Sequence, residues 1–595
     1  MKPTTEILEN ISKNSRKNND EIFTRLYRYL LRPDLYYIAY QNLYANKGAG
    51  TKGINNDTAD GFSQEKVNSI IQSLSDDSYS PNPVRRTYIK KKNNSRKKRP
   101  LGIPTFTDKL VQEVLRMILE SVYEPIFSNY SHGFRPNRSC HTALSYMKKD
   151  FTGVVWFIEG DIKGCFDNID HNVLVNIIGS KIKDARLCQL IWKFLRAGYM
   201  ENRNYNPTYS GCPQGGIVSP LLANIYLHEL DKFAEKTADD FYRKRTRAYT
   251  KEYNAVAGQL TKYKKMLKTA KGEEKSKYLI KIKQLRKELA KTPCGSRTDK
   301  VIKYIRYADD FLIGVKGTKE ECEQIKKQFA DFISNTLKME LSEEKTLITH
   351  SSNPARFLGY DVRVRRDNIL KPHGNHLQRT LKGKVELNIP FQDKIMPFLF
   401  EKSIIRQLKD GTLEPIARKY LYGCTDLEIL FAFNAELRGI CNYYALASNY
   451  TRLCYFAYFM EYSCLKTLAG KHKTTSRKIL NKYKSDGKWS IPYKTKSGIK
   501  YCKFADYMKC KKSVDFDEKI VDYAVVHATT RTTLEKRLES HVCELCGKTN
   551  VQLEMHHVNK VKNLKGKDFW EIMMIAKKRK TIAVCKDCHH KIHHP

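Results

Sequence analysis

Apolar residues recur along this chain with two different periods. Near the start, E-I-F-T-R-L-Y-R-Y-L-L (21–31) and K-V-N-S-I-I-Q-S-L (66–74) place them at helical spacing, so both predict helices. Between them Y-A-N-K-G-A-G-T-K-G-I-N-N-D-T-A-D-G (44–61) reads as a Gly-, Asn- and Lys-rich loop. Y-I-K-K-K-N-N-S-R-K-K-R-P-L-G-I-P (88–104) predicts a hairpin of two basic strands turning at N-N-S. Further on, V-V-W-F-I (154–158), V-I-K-Y-I-R-Y (301–307) and F-L-I-G-V (311–315) predict strands. Within 235–300 two helical seams appear, Val256, Leu260, Tyr263, Leu267 and Tyr278, Ile282, Leu285, Leu289, with a turn at Lys271-Gly272-Glu273. They predict an antiparallel helical hairpin inserted into another domain. Residues 370–480 read as mostly helical, and 480–535 as basic and aromatic with few periodic runs.

The hairpin of 301–315 carries two adjacent carboxylates, Asp309 and Asp310, at its tip. A tight turn would account for the pair, since Asp turns well. Two like charges between apolar strands otherwise call for a cation opposite them. The strand of 154–158 runs into Asp161, and a strand end beside the hairpin tip would bring this third carboxylate close. Mg²⁺ takes hard oxygen ligands, commonly one or two carboxylates plus substrate phosphates. Two such ions activate a 3′-hydroxyl and stabilise a leaving pyrophosphate.

Charge and composition narrow the partner. The chain has 595 residues, 41% of them hydrophobic and 11% aromatic, as expected of several folded domains. Its formal net charge is +43, from 107 Lys and Arg against 64 Asp and Glu. That excess favours a polyanion, and nucleic acid is the expected one. A membrane is not expected, because no apolar run reaches about 18 residues and the N-terminus is polar. Sixteen cysteines scattered among apolar residues read as reduced thiols of a cytoplasmic protein. The exception is C-E-L-C (543–546) with C-K-D-C (585–588), whose paired spacing predicts a tetrahedral zinc site of Cys543, Cys546, Cys585 and Cys588. Four thiolates saturate one zinc, so the histidines of E-M-H-H-V-N (554–559) and C-K-D-C-H-H-K-I-H (585–593) need another purpose.

Ordered blocks supply a context for all of this. R-P-L-G-I-P-T-F-T-D-K-L-V-Q (99–112), G-F-R-P-N-R-S-C-H-T-A-L (133–144), G-D-I-K-G-C-F-D-N-I (160–169) and G-C-P-Q-G-G-I-V-S-P-L-L-A-N-I-Y-L-H-E-L-D (211–231) resemble those of reverse transcriptases encoded by group II introns. Y-A-D-D (307–310), L-S-E-E-K-T (341–346) and R-F-L-G-Y (356–360) continue the series in the family's order. The resemblance runs nearly end to end and is strongest to the multifunctional LtrA type. It implies a multidomain α+β protein. An N-terminal extension (1–80) precedes right-hand polymerase fingers and palm (81–365, with the insertion 235–300). A helical thumb with maturase domain X (366–480), a basic DNA-binding region (481–535) and an HNH endonuclease of the ββα-metal type (536–595) follow.

The same resemblance assigns residues. Asp161, Asp309 and Asp310 match the Mg²⁺-binding aspartates. Phe166 matches the aromatic under the sugar of an incoming dNTP, where its ring selects against a 2′-hydroxyl. Lys91 and Arg99 match residues holding the triphosphate, Gln214 one contacting the nucleotide, and Lys345 a proton donor to pyrophosphate. L-R-G-I-C-N-Y-Y-A-L-A-S-N (437–449) resembles the maturase signature, so Arg438, Asn442, Tyr443 and Tyr444 are candidate contacts to intron RNA, the tyrosines being equally readable as core. In the endonuclease His557 matches the general base, and His556 and His589 the ligands of a divalent cation. His593 shares a helix face with His589, and His590 competes with His589 for its role. The implied partners are intron RNA, target DNA and dNTPs, with a homodimer left open. The implied activity is maturase-assisted splicing followed by target-primed reverse transcription and nicking of the second DNA strand. A noncatalytic splicing factor is the rival, opposed by the intact aspartates. An RNA-dependent RNA polymerase is opposed by Phe166 and the endonuclease.

Overall fold

The computed structural model of the chain describes residues 4–46, 48–91, 94–213, 215–243, 249–292, 299–366, 370–374, 376–379, 383–485, 488–495, 498–511 and 533–594. At its centre the strands Val301–Tyr307, Asp310–Lys316, Trp156–Asp161 and Ile348–His350 form one antiparallel sheet in that order. Alternation along these strands feeds two cores. Ile158, Ile302, Phe311 and Ile313 face a core shared with the N-terminal helices. Phe157, Ile305 and Leu312 face a second core built with residues 355–491. A sheet covered on both faces holds its strand ends in fixed places, and two of those ends carry Asp161 and Asp310, with Asp309 in the turn between strands.

The tip of the central hairpin is held from below. Ala308 takes φ +58°, a left-handed conformation, to make the turn before Asp309. Gly160 lies against the Phe311 ring, where a Cβ would approach to 2.1 Å. Gly133 lies against the turn itself, where a Cβ would come within 2.3 Å of the Ala308 amide nitrogen. Arg306 is wholly buried and pairs with the wholly buried Asp231, donating to Oδ1 at 2.7 Å and to Oδ2 at 2.6 Å. Its remaining donors reach Ser131 Oγ at 2.8 Å and the Ala308 carbonyl at 2.9 Å. One guanidinium thereby ties the turn to the helix Ser219–Phe241.

The basic segment forms the expected hairpin, Val84–Lys91 against Asn94–Ile103, with its turn residues 92 and 93 outside the described residues. The inserted helices are Lys251–Thr269 and Glu273–Lys291. Leu260, Ile282 and Leu285 are buried between them, with Val256, Tyr263, Leu267 and Leu289 alongside. Two expectations need correction. Residues 21–31 make a short bridge at Phe23 and a 3₁₀ turn, Tyr27–Leu31, because Arg25 adopts φ +56° and interrupts the helical run. The first part of 370–480 is β rather than helical. Val385–Asn388 extends the sheet of Ala355–Phe357 and Tyr360–Val364, and Ile405–Gln407 pairs with Leu413–Pro415. Helices begin in earnest at Asp426–Tyr443 and Leu453–Lys471.

The C-terminal unit is a hairpin, Leu553–His557 with Thr581–Cys585, followed by the helix Lys586–His593. Phe62–Ser63, from the far end of the chain, adds to this hairpin as a third strand. No helix among the described residues is long and apolar enough to cross a membrane.

Removing one partner of a buried ion pair leaves the other charge uncompensated, at a cost of about 3–5 kcal/mol. Asp231→Ala should therefore lower unfolding stability by about that amount in urea titration, whereas Lys232→Ala beside it should change it little. Equal, small losses from both would show that the Arg306 pair does not support the sheet.

Candidate functional site

Three clusters gather the candidate residues. In the first, pairing of Trp156–Asp161 with Asp310–Lys316 places Asp161 directly opposite Asp310, with Asp309 in the adjoining turn. Lys345 Nζ donates to Asp161 Oδ2 at 2.6 Å, and the Ser342 amide donates to the Asp161 carbonyl at 2.8 Å. The contact raises the Lys345 pKa, through the hydrogen bond to Asp161 first. Asp310 stands at the exposed rim, but protein encloses one side of its carboxyl. Burial, then the charge of Asp309, then Asp161 push its pKa up to about 7. Asp309 is raised as well, chiefly by burial and by Asp161, with Arg99 and Lys345 pulling the other way. Carboxylates that resist ionising together form the hard-oxygen donor set a divalent cation requires.

Next to them, Phe166 is half-buried and meets the Phe134 ring edge-on at 6.0 Å. It lines a cavity of about 370 Å³ with Arg86, Gly102, Tyr199 and Gly211. This cavity joins the foot of the basic hairpin to the turn that leads to Gln214. Arg99 is exposed on the hairpin, opposite Ile89. Gln214 and the side chain of Lys91 lie outside the described residues.

The maturase-like segment lies on the helix Asp426–Tyr443. Arg438 is exposed and Asn442 half-buried. The two tyrosines, readable as RNA contacts or as core, pack against the neighbouring sheet. Tyr444 is 4% exposed, and its ring meets Tyr360 at 5.0 Å. Tyr443 donates to the Leu358 carbonyl at 2.7 Å and Tyr444 to that of Gly359 at 3.3 Å. Both hydroxyls are committed to the loop joining two strands, so the rings brace the helix against the sheet.

The C-terminal unit holds two clusters. The sulfurs of Cys543, Cys546, Cys585 and Cys588 all lie within 4.8 Å of one another. Burial opposes ionisation of Cys543, but the amides of Cys546, Cys585 and Leu545 lower its pKa to about 7. Convergent thiols, one already favouring the thiolate, fit a tetrahedral soft-metal site. The second cluster brings His556, His589 and His593 together with Asp60. His589, not His590, points inward, because Glu554 holds its Nδ1 at 2.6 Å. Although burial works against it, contacts with Asp60 and Glu554 raise His589 to about 9, so this pocket favours positive charge. Burial also opposes ionisation of Asp60, yet His556, His589 and the His557 amide hold its carboxyl far below the usual range. His557 is buried, and that burial lowers its pKa, keeping it neutral as a base must be. Sequence reasoning missed Asp60, which lies in a polar loop with nothing local to mark it. It gave His593 only a supporting place, although i, i+4 spacing from His589 was the available signal.

Comparisons with known proteins agree in order along the chain. Residues 89–273 and 276–362 match the reverse transcriptase (RNA-dependent DNA polymerase) family, 382–541 the type II intron maturase family, and 543–589 the AI2M/AI1M-like HNH endonuclease family. The group II intron-encoded protein LtrA of Lactococcus lactis subsp. cremoris is 60% identical over 597 residues, covering 100% of both chains. An uncharacterised 91 kDa protein in the cob intron of Schizosaccharomyces pombe is 35% identical over 98% of this chain and 72% of its own. A putative COX1/OXI3 intron 2 protein of Saccharomyces cerevisiae is 33% identical over 98% of this chain and 68% of its own.

The raised pKa of Asp310 has a stability consequence. An unfolded aspartate titrates near 4, so ionising Asp310 costs the folded state nothing below about pH 4, increasingly more as pH rises, and the full amount above about 7. In metal-free buffer Asp310→Asn should therefore raise the thermal midpoint more at pH 8 than at pH 5. The same shift at both pH values would contradict the raised pKa of Asp310.

Proposed function

The chain belongs to the group II intron-encoded proteins with reverse-transcriptase, maturase and HNH endonuclease domains, and we propose that Asp161, Asp309 and Asp310 carry its polymerase chemistry. The observation that supports this most is the register of the central sheet, which sets Asp161 against Asp310 with Asp309 in the turn. These carboxylates would hold the Mg²⁺ ions. When bound, the ions supply activation of the primer's 3′-hydroxyl and neutralisation of the departing pyrophosphate. Lys345, free to leave Asp161 when that charge is met, is positioned to give a proton to the leaving group. Arg99 and Lys91, on the basic hairpin of the fingers, hold the triphosphate by planar fork and point charge. The Phe166 ring lies under the sugar and excludes a 2′-hydroxyl, and Gln214 contacts the nucleotide.

In the thumb, Arg438 and Asn442 contact intron RNA, supported by their exposed or half-exposed places on the helix Asp426–Tyr443. The net charge of +43 suits both intron RNA and target DNA. The protein stabilises folded intron RNA for splicing, stays bound, and copies the inserted RNA from a 3′ end freed by its endonuclease. In that domain His557 takes a proton from water, and His556, His589 and His593 would hold a cation that supplies, when bound, positive charge for the scissile phosphate. The four cysteines hold a structural zinc, in keeping with a reducing cytoplasm.

Substitutions should separate these functions. Asp309→Ala should abolish extension of a DNA primer on an RNA template, while binding of intron RNA and splicing persist. Parallel loss of splicing in a folded variant would contradict a separate polymerase site. His557→Ala should keep zinc and primer extension but lose nicking by about 10²–10⁴-fold, the usual worth of a general base. Cys585→Ser should release zinc and unfold the C-terminal domain. Full nicking by His557→Ala, or zinc loss matching that of Cys585→Ser, would overturn the division of labour.

A further inference from the structure

We propose that Asp60, supplied by the N-terminal region, is a fourth ligand of the endonuclease's cation site and closes that site in the docked state. This rests on the assignment of His556, His589 and His593 as the cation's ligands. Asp60 Oδ2 lies 2.8 Å from His593 Nε2, and Oδ1 lies 3.2 Å from His556 Nδ1 and 3.3 Å from His589 Nε2. His556 is 4% exposed; its Nδ1 faces only the Asp60 carboxylate, at 3.2 Å, and its Nε2 makes no hydrogen bond. A buried imidazole thus faces the cluster with one ring nitrogen against a carboxylate and the other unpartnered, as a metal ligand would. Three imidazoles and a carboxylate suit a borderline divalent cation such as Zn²⁺, Co²⁺ or Mn²⁺.

Asp60 is held in place by several contacts. The His557 amide donates to its Oδ1 at 2.7 Å, and the Gly61 amide donates to the Met555 carbonyl at 3.0 Å. Gly61 takes φ +74°, which turns the chain so that Phe62 and Ser63 pair with Met555 and Glu554. Phe62 is wholly buried, and Lys586 pairs with Glu65 at 2.7 Å.

A catalytic metal keeps one position for substrate, whereas a structural one has all four filled by protein. With Asp60 in place, four protein donors fill the shell, and a DNA phosphate must displace the carboxylate to bind. His557 is covered at the same time, 9% exposed, with Nε2 3.0 Å from the Tyr44 carbonyl. The N-terminal region therefore masks the nuclease until engagement with DNA draws the two apart.

The test titrates Co²⁺ into the full-length, zinc-bearing protein and follows tetrahedral cobalt absorption, to which an oxygen-rich octahedral site adds little. Asp60→Asn should weaken cobalt binding about tenfold or more. At saturating divalent cation it should nick supercoiled plasmid DNA faster than the parent protein. Lys586→Glu, which breaks the pair with Glu65 and touches no ligand, should also raise nicking, and primer extension reports that each variant is folded. Unchanged cobalt affinity in Asp60→Asn would overturn the ligand role, and no rise in nicking from either variant would overturn the mask. His593→Ala separates the proposal from its premise. It should weaken cobalt binding whatever Asp60 does, and its failure to do so would discard the histidine site itself.

Discussion

The buried pair of Arg306 and Asp231 is the contact on which the polymerase centre depends. Bringing three carboxylates to one sheet end costs free energy, because each desolvates and repels the others. Arg306 does not neutralise them directly. It anchors the Ala308 carbonyl to Ser219–Phe241 and fixes a left-handed turn that would otherwise relax, while Gly160 and Gly133 let the chains close around it. Burial first, then the charges of Asp309 and Asp161, leave Asp310 with a pKa of about 7, and Lys345 is recruited to Asp161. A cluster pushed toward protonation in this way is one whose ionised form a bound divalent charge would favour.

A second constraint links the ends of the chain. The endonuclease hairpin has only two strands, a size that is marginal alone. Phe62 and Ser63 complete it, and Leu553, Met555, Met574 and Ile582 join the same continuous core as the N-terminal helices. Docking that stabilises the small domain also carries Asp60 and the Tyr44 carbonyl onto its histidines. The packing that completes the small domain thus also covers its histidines.

Local chemistry was readable along the chain. The Asp-Asp pair between apolar strands, Asp161 at a strand end and the doubled C-x-x-C all declare themselves by residue type and spacing, because strand alternation and thiol pairing are short-range properties. Local pattern left the outcome open where tertiary packing competes with it. Tyr443 and Tyr444 carry both aromatic surface and a hydroxyl, and only the nearness of the Leu358 and Gly359 carbonyls makes them braces. Residues 21–31 have helical periodicity, but Arg25 takes a positive φ that no periodicity reveals.

The sequence by itself determined the order of the reverse-transcriptase, maturase and HNH regions, the carboxylates at the ends of apolar strands and the thiol cluster, since each is written in contiguous blocks whose spacing survives without a fold. Only the tertiary structure decided that Arg306 faces inward to Asp231, that His589 rather than His590 enters the cluster, and that Asp60 stands beside His593. Those outcomes depend on which surfaces meet after the chain has closed, and Asp60 and His557 are separated by nearly the whole chain. Contacts of that range are set by the burial of Phe62 and the core around it, and no local pattern encodes them.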